Sequence, residues 1–370
     1  MSGHYTARVS WITVTKPKDQ GGLGIRDLYV WNKASIIKLI WLLFFQSGSV
    51  WVAWFRLHFL KGSLNNFWTM KKRQNYSWLA NKLLKYRGVV YDWIKMRIGN
   101  GLTCRFWTDN WSPFGKLLEY FTGAARSRMG IPIATTLSQL YRRGQWMLSH
   151  ARTENQVSLL TFLTTLTLND QNDYYEWELE GKTYGRYSTG AIYHLLREDS
   201  PIVPWSKVVW FSGGIPKHIF HAWLLVLNRC PTRDRMLRWG LQTKAECLLC
   251  NNSLESRDHL FFNCSYSWIV WAPVAVRCGL QPNRSWDRTL NHLQALTGPR
   301  ANKRLSLLVW QCSLYLLWGE RNNRLHRQSF KSADSLRLLI DSIIRNRIAS
   351  FRDSNHALAS SMFQRWISSS

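Results

Sequence analysis

Acidic side chains are scarce: 22 Asp and Glu stand against 49 Lys and Arg in 370 residues, a formal charge of +27. Such a field leaves little to attract a cationic partner and favours polyanions, nucleic acid above all. It also fits a segment whose acidic partner domain lies elsewhere. Cysteine is scarce too, seven residues unevenly placed, which excludes a disulfide framework in so long a chain. A reducing, intracellular compartment, nucleus or cytoplasm, is therefore expected. Met1-Ser-Gly-His-Tyr-Thr-Ala-Arg8 has no apolar signal core. The most apolar runs, Ile36–Phe45 and Leu305–Trp318, are interrupted by Lys38 and Gln311 and fall short of a membrane span, so no membrane partner is expected. No Gly-x-Ser-x-Gly elbow, His-Glu-x-x-His pair or phosphate loop occurs. Gly21-Gly-Leu-Gly24 lacks the Gly-Lys-Ser/Thr ending of such a loop and reads as a turn.

What is present is a hydrophobic share of 46%, enough for real cores and against disorder, in a length that allows two or three domains. The periodicity predicts a mainly α protein with short β-hairpins. Helices are expected over 30–45, 50–60, 303–327 and 335–351, the last with Leu336, Leu339, Ile340, Ile343 and Ile344 on one face. Trp41, Trp51 and Trp54 are expected in helix packing. Thr103–Trp107 reads as a short strand. Tyr174–Leu179 and Thr183–Tyr187 read as a hairpin turning at Glu180-Gly181, and Ser188 as the cap of a helix to about Arg197.

One stretch carries recognisable chemistry: Cys247-Leu-Leu-Cys250, eight residues, His259, four more, then Cys264. Three thiolates and one imidazole are donors zinc prefers, and together they fill a tetrahedron with no position left for water. That pattern predicts one structural Zn²⁺ in a small Cys3His module between helical segments. Ser256-Arg257-Asp258 reads as a helix start. Five residues round a regular helix carry Cys264 away from His259, so the helix is expected to loosen near Asn263. The competing readings are a redox Cys-x-x-Cys pair, for which no βαβ setting is visible, and plain buried cysteines. His218 and His221 share a helix face but lack a matching carboxylate. Before the site, Arg229, Arg233, Arg235 and Arg238 are opposed only by Asp234. If Thr232 caps a short helix there, Arg235 and Arg238 share a side while Met236 and Trp239 pack toward the zinc core. Those four arginines are the candidate nucleic-acid face.

The surrounding residues sharpen this. Trp205-Ser-Lys-Val-Val-Trp210, Gly214-Ile-Pro-Lys-His-Ile-Phe-His-Ala-Trp223, Leu227-Asn-Arg-Cys-Pro-Thr-Arg-Asp-Arg-Met-Leu-Arg-Trp-Gly240 and His259-Leu-Phe-Phe-Asn-Cys264 resemble the reverse-transcriptase zinc-binding domain of plant LINE-type (non-LTR) retrotransposons. Trp31-Asn-Lys-Ala34, Ile98-Gly-Asn-Gly101 and Asp109-Asn-Trp111 are similar to the connector that follows the polymerase in those elements. The resemblance implies zinc ligation by Cys247, Cys250, His259 and Cys264. It also implies nucleic-acid partners, RNA ahead of DNA, with other retroelement proteins as further candidates. It divides the chain into a connector-like helical region (1–120), a mixed linker region (121–200), the zinc-binding domain (201–290) and a C-terminal helical region (291–370). Full-length members are RNA-directed DNA polymerases, whose palm needs paired aspartates on two metal ions. No Asp-Asp pair occurs here, and the last forty or so residues are too few for a ribonuclease H fold, with Asp334, Asp341 and Asp353 read as helix-surface acids. No enzymatic activity is therefore expected. The runner-up is a structural or protein-interaction segment, or a decayed reading frame.

Overall fold

The computed structural model describes residues 8–46, 48–121 and 129–368. The chain divides into two units, one of residues 27–198 and one of 1–26 with 199–370. Both are built mainly of helices.

In the 27–198 unit, helix α1 (Leu28–Phe45) begins where the Asp27 carboxylate accepts from Tyr29 N at 2.8 Å, an N-cap for orphan amides. Its Ala34, Ile37, Ile40 and Trp41 are buried against α2 (Trp78–Val90) and a later helix. At 18 residues, α1 is long and apolar enough by length and composition to cross a membrane. The sequence pattern suggests less because Lys38 interrupts the run; Lys38 simply lies on the exposed side. Past Val50–Trp54 the backbone widens into a π turn over Phe55–Phe59, and Trp54, expected in packing, is 56% exposed.

Strand β1 (Ile94–Arg97) is not among the elements the sequence pattern predicts. β2 (Tyr141–Arg142) and β3 (Gln145–Trp146) form a small hairpin of their own. After α3 (Glu154–Thr164), β4 (Tyr174–Leu179) runs antiparallel to β1, Ile94 opposite Trp177, and turns into β5 (Lys182–Thr183). Glu180 and Gly181 both take positive φ, 50° and 76°, the tight turn their sequence suggested. Ser188 Oγ accepts from Ala191 N at 3.2 Å and starts α4 (Thr189–Leu196), the second partner of α1. The strand expected over Thr103–Trp107 shrinks to one bridge, Arg105 to Thr136. Its first amides and those just before it go elsewhere: the Asp173 carboxylate accepts from Gly99, Gly101, Thr103 and Cys104 N at 2.8–3.1 Å.

The other unit wraps a 28-residue helix. Its helices of six or more residues are α5 (Pro216–Val226), α6 (Arg233–Arg238), α7 (Ser265–Arg277), α8 (Trp286–Gln294), the long α9 (Arg300–Arg327), α10 (Ala333–Ala349) and α11 (His356–Ile367). α5, α7, α10 and α11 all pack on α9. α10 buries Leu336, Ile340, Ile344 and Ile348, one residue per turn, as its spacing predicts. α11, not foreseen from the pattern, buries Ala359, Met362 and Trp366. Asp341 is no plain surface acid: it accepts from Arg277 Nη1 (3.0 Å), Arg345 Nε (2.6 Å) and Trp366 Nε1 (2.8 Å), tying α7 and α11 to α10. Burial alone raises that carboxyl; the donors from Arg345 and Trp366 outweigh it and hold it below the usual range.

Candidate metal centre

Two local devices bring the four ligands together. The first is a tight loop after a one-bridge contact of Glu246 with Leu254. Cys247 N donates to Ser253 O at 2.7 Å, Asn251 N to Cys247 O at 2.8 Å, and Asn251 takes φ 55° to close the loop. Leu249 N points at Cys247 Sγ, 3.4 Å away. The second is the expected loosened helix. Ser256 Oγ accepts from His259 N at 3.2 Å, and His259–Asn263 then forms a π turn closed by Cys264 N on His259 O at 2.7 Å. That i to i+5 bond brings Cys264 back beside His259. Leu260, Phe261 and Phe262 on the same turn are buried, so the turn is packed from behind.

The ligand atoms all lie within 4.8 Å of one another: Cys250 Sγ is 3.2 Å from His259 Nε2, and Cys247 Sγ 4.0 Å from Cys264 Sγ. Bonds of about 2.0–2.3 Å in a tetrahedron set donors about 3.3–3.8 Å apart. The three thiols and the imidazole therefore fit one zinc ion with closure of the widest edge. Cys247 and Cys264 are fully buried and Cys250 partly so. The hydrogen bond from Cys247 holds the Cys264 thiol below its ordinary range despite burial, with help from Ser267; the same bond, then burial, pushes Cys247 up. Among the described residues, this is the one group of three or more His, Cys, Asp or Glu placed to hold an ion.

The long helix grips the loop from outside. Arg324 Nη1 donates to Leu248 O (3.3 Å) and Leu249 O (2.9 Å), the two residues between the first ligands, while its Nε pairs with Glu320 at 2.8 Å. Glu255, fully buried, takes Arg321 Nη2 at 2.8 Å, Arg233 N at 3.0 Å and Leu248 N at 3.3 Å. Removing one partner of such a pair leaves a buried charge and costs about 3–5 kcal/mol. Sequence reading missed Glu255, Arg321 and Arg324. Their only signal was an acid beside the ligands and the Glu320-Arg-Asn-Asn-Arg324 run.

Of the four arginines proposed as a face, Arg233 is buried, its guanidinium donating to Glu246 O beneath the loop. Arg229 and Arg238 are exposed and Arg235 half-buried; Arg238 pairs with Asp234 at 2.7 Å. Thr232 does sit at the cap of α6, but its hydroxyl bonds Asp234 Oδ1 rather than a backbone amide. Trp239 does not pack toward the centre; it is 51% exposed. His218 and His221 are buried among Tyr315, Trp318 and Phe261, and among the described residues neither belongs to a group placed to hold an ion. Cys230, Cys278 and Cys312 are buried thiols, each pushed up to about 12 by desolvation.

Residues 187–271 match the family described as zinc-binding in reverse transcriptase. Over 274 residues the chain is 25% identical to an Arabidopsis thaliana protein provisionally named a ribonuclease H protein; the similarity covers 72% of this chain and 44% of that relative. The chain thus spans less than half the length of the relative it matches. No solved structure matches. Together the two matches support a retrotransposon-derived chain carrying a zinc module.

Proposed function

We propose that this chain is a zinc-stabilised, basic nucleic-acid-binding segment of a LINE-type reverse transcriptase, taking RNA ahead of DNA and performing no catalysis of its own. One structural Zn²⁺ on Cys247, Cys250, His259 and Cys264 fixes the loop. Glu255 passes that order to α6 through Arg233 N, and α6 carries Arg235 and Arg238 outward with Arg229 beside them. This coupling of a ligand cluster to a cationic surface is the observation that carries the reading. The excess of +27 supplies the long-range attraction. Within an intact element the segment would hold template RNA or target DNA beside the polymerase, and we place the chemistry, including any ribonuclease H step, outside this chain.

The test is a salt titration of RNA affinity for the zinc-loaded chain and for Arg235→Ala with Arg238→Ala. Each phosphate that the variant no longer neutralises should flatten the slope by about 0.7 on single strands or about 0.9 on duplex. An unchanged slope assigns binding to diffuse charge. A wild-type chain with no salt-dependent binding points to a structural segment or a decayed frame.

A further inference from the structure

We infer that the exposed indole of Trp239, with the Arg235 guanidinium against its ring, is a stacking platform for an unpaired base of single-stranded nucleic acid. The inference rests on the nucleic-acid reading above and adds the strand class to it. The ring is large, apolar and half in water, and the backbone that carries it is fixed at both ends of α6. Helix α6 ends there in a left-handed glycine: Gly240 has φ 78°, its N–H donates to Leu237 O at 2.9 Å, and Leu241 N donates to Met236 O at 3.0 Å. The front of α6 is tied to the metal loop by Asp234 N on Glu255 O (3.1 Å) and Arg233 N on Glu255 Oε1 (3.0 Å). The indole is therefore presented on a short, pinned element.

Its surroundings are those of a polyanion site. The Arg235 guanidinium lies 5.2 Å from the ring centroid. Arg235 is held below its ordinary range by burial first and then by the charges of Arg229 and Arg238, with Asp234 opposing them. Arg229 and Arg235 have no ion pair among the described residues, and Asp234 is already bonded to Arg238. A phosphate backbone relieves that repulsion while a base covers the indole. Stacking needs a free base face, which single strands offer and duplexes bury between neighbours. Leu237 and Leu241, also exposed, would suit a protein partner, but the Arg235 guanidinium at the ring, with the charges of Arg229 and Arg238 acting on it, favours phosphate.

The experiment uses the full zinc-loaded chain, a labelled short oligouridine and an RNA duplex of matching length, read by fluorescence anisotropy across a salt series. Trp239→Ala should raise the single-strand Kd about 5- to 150-fold, the worth of one stacked base. Its salt slope should not change, because no charge is removed. Duplex affinity should stay within about twofold, and Trp239→Phe should recover most of the single-strand loss. Equal single-strand affinity for Trp239→Ala and wild type overturns the platform and leaves the wider reading standing. So does a loss shared by single strand and duplex, which marks the indole as structural. A wild-type chain that binds neither RNA overturns both.

Discussion

Among the described residues, neither ring nitrogen of His218 or of His221 has a hydrogen-bond partner. Burial, then the charge of Lys217, lowers His218 from 6.5 to about 4; burial, then His218, lowers His221 from 6.5 to about 3. A neutral buried imidazole must take up its proton on unfolding, so the unfolded chain binds protons first. Stability is therefore unaffected above pH 6.5 and falls from there toward pH 4 and below. The slope is about 1.4 kcal/mol per pH unit for each ring that stays neutral in the fold. His221→Phe, which keeps the aromatic contacts, should flatten the acid limb by about one such increment. Urea unfolding at a series of pH values compares the two slopes; equal slopes place the acid sensitivity in other groups. At the same scale, Arg324 is expected to position the metal loop without touching the ion. Arg324→Met should weaken zinc retention against a competing chelator by roughly 10- to 100-fold. Arg337→Met, whose partner Asp334 is exposed on α10, should leave zinc retention unchanged.

The π turn at His259–Asn263 shows what an element can disclose in advance. Five residues of regular helix end about 140° past a full turn, so ligand spacing alone demanded a wider turn, and the structure has one. Local constraints of this kind were legible: the Cys3His cluster, the Glu180-Gly181 hairpin, the Ser188 cap and the apolar stripe of α10. Long-range choices were not. β1 alternates apolar and polar residues, but its partner β4 lies far along the chain, and a basic run masks it. The amides of Thr103 and Cys104 look free to join a strand until Asp173 arrives to take them. Which arginine of α6 turns inward depends on Glu246 O, and the outward swing of Trp239 on the turn at Gly240. The Asp173 loop yields its own prediction. A Cβ on Gly99 would sit 2.1 Å from Gln171 O and 2.7 Å from Gln171 C, backbone atoms that cannot swing aside. Gly99→Ala should therefore destabilise the 27–198 unit by about 2 kcal/mol or more. Gly88→Ala, in α2 with nothing within 4 Å, should stabilise by up to ~1 kcal/mol. Denaturant midpoints that move together would show the Asp173 loop to be more yielding than its geometry implies.

On the scale of the molecule, the two units have separate cores and only one contains the metal centre. Cys247, Leu249, Leu260, Phe261, Phe262 and Cys264 belong to the same buried cluster as Leu305, Leu308 and Trp310 of α9. The cluster of α1 and α2 includes none of them. A structural zinc contributes apparent binding of about 10–16 kcal/mol, which becomes folding free energy wherever the site is not formed without it. That energy has a short reach here, because α9, α10 and α11 bury their own apolar faces against one another. Zinc removal is therefore expected to open residues 240–270 first, to loosen α9 as Arg324 and Arg321 let go of the loop, and to leave 27–198 as it was. Cys250→Ser should have the same result, since it leaves two thiols and one imidazole with no fourth donor. Cys312→Ser, which alters a buried thiol of α9 outside the ligand set, should leave zinc content at one ion. Hydrogen exchange of the chain before and after chelation reads all of this. Amides of 240–270 should lose protection by orders of magnitude while those of α1 and α4 keep theirs. Elemental analysis finding no zinc in folded wild-type protein would sink the premise, and equal loss of protection in both units would show that the metal holds far more of the chain than its own core.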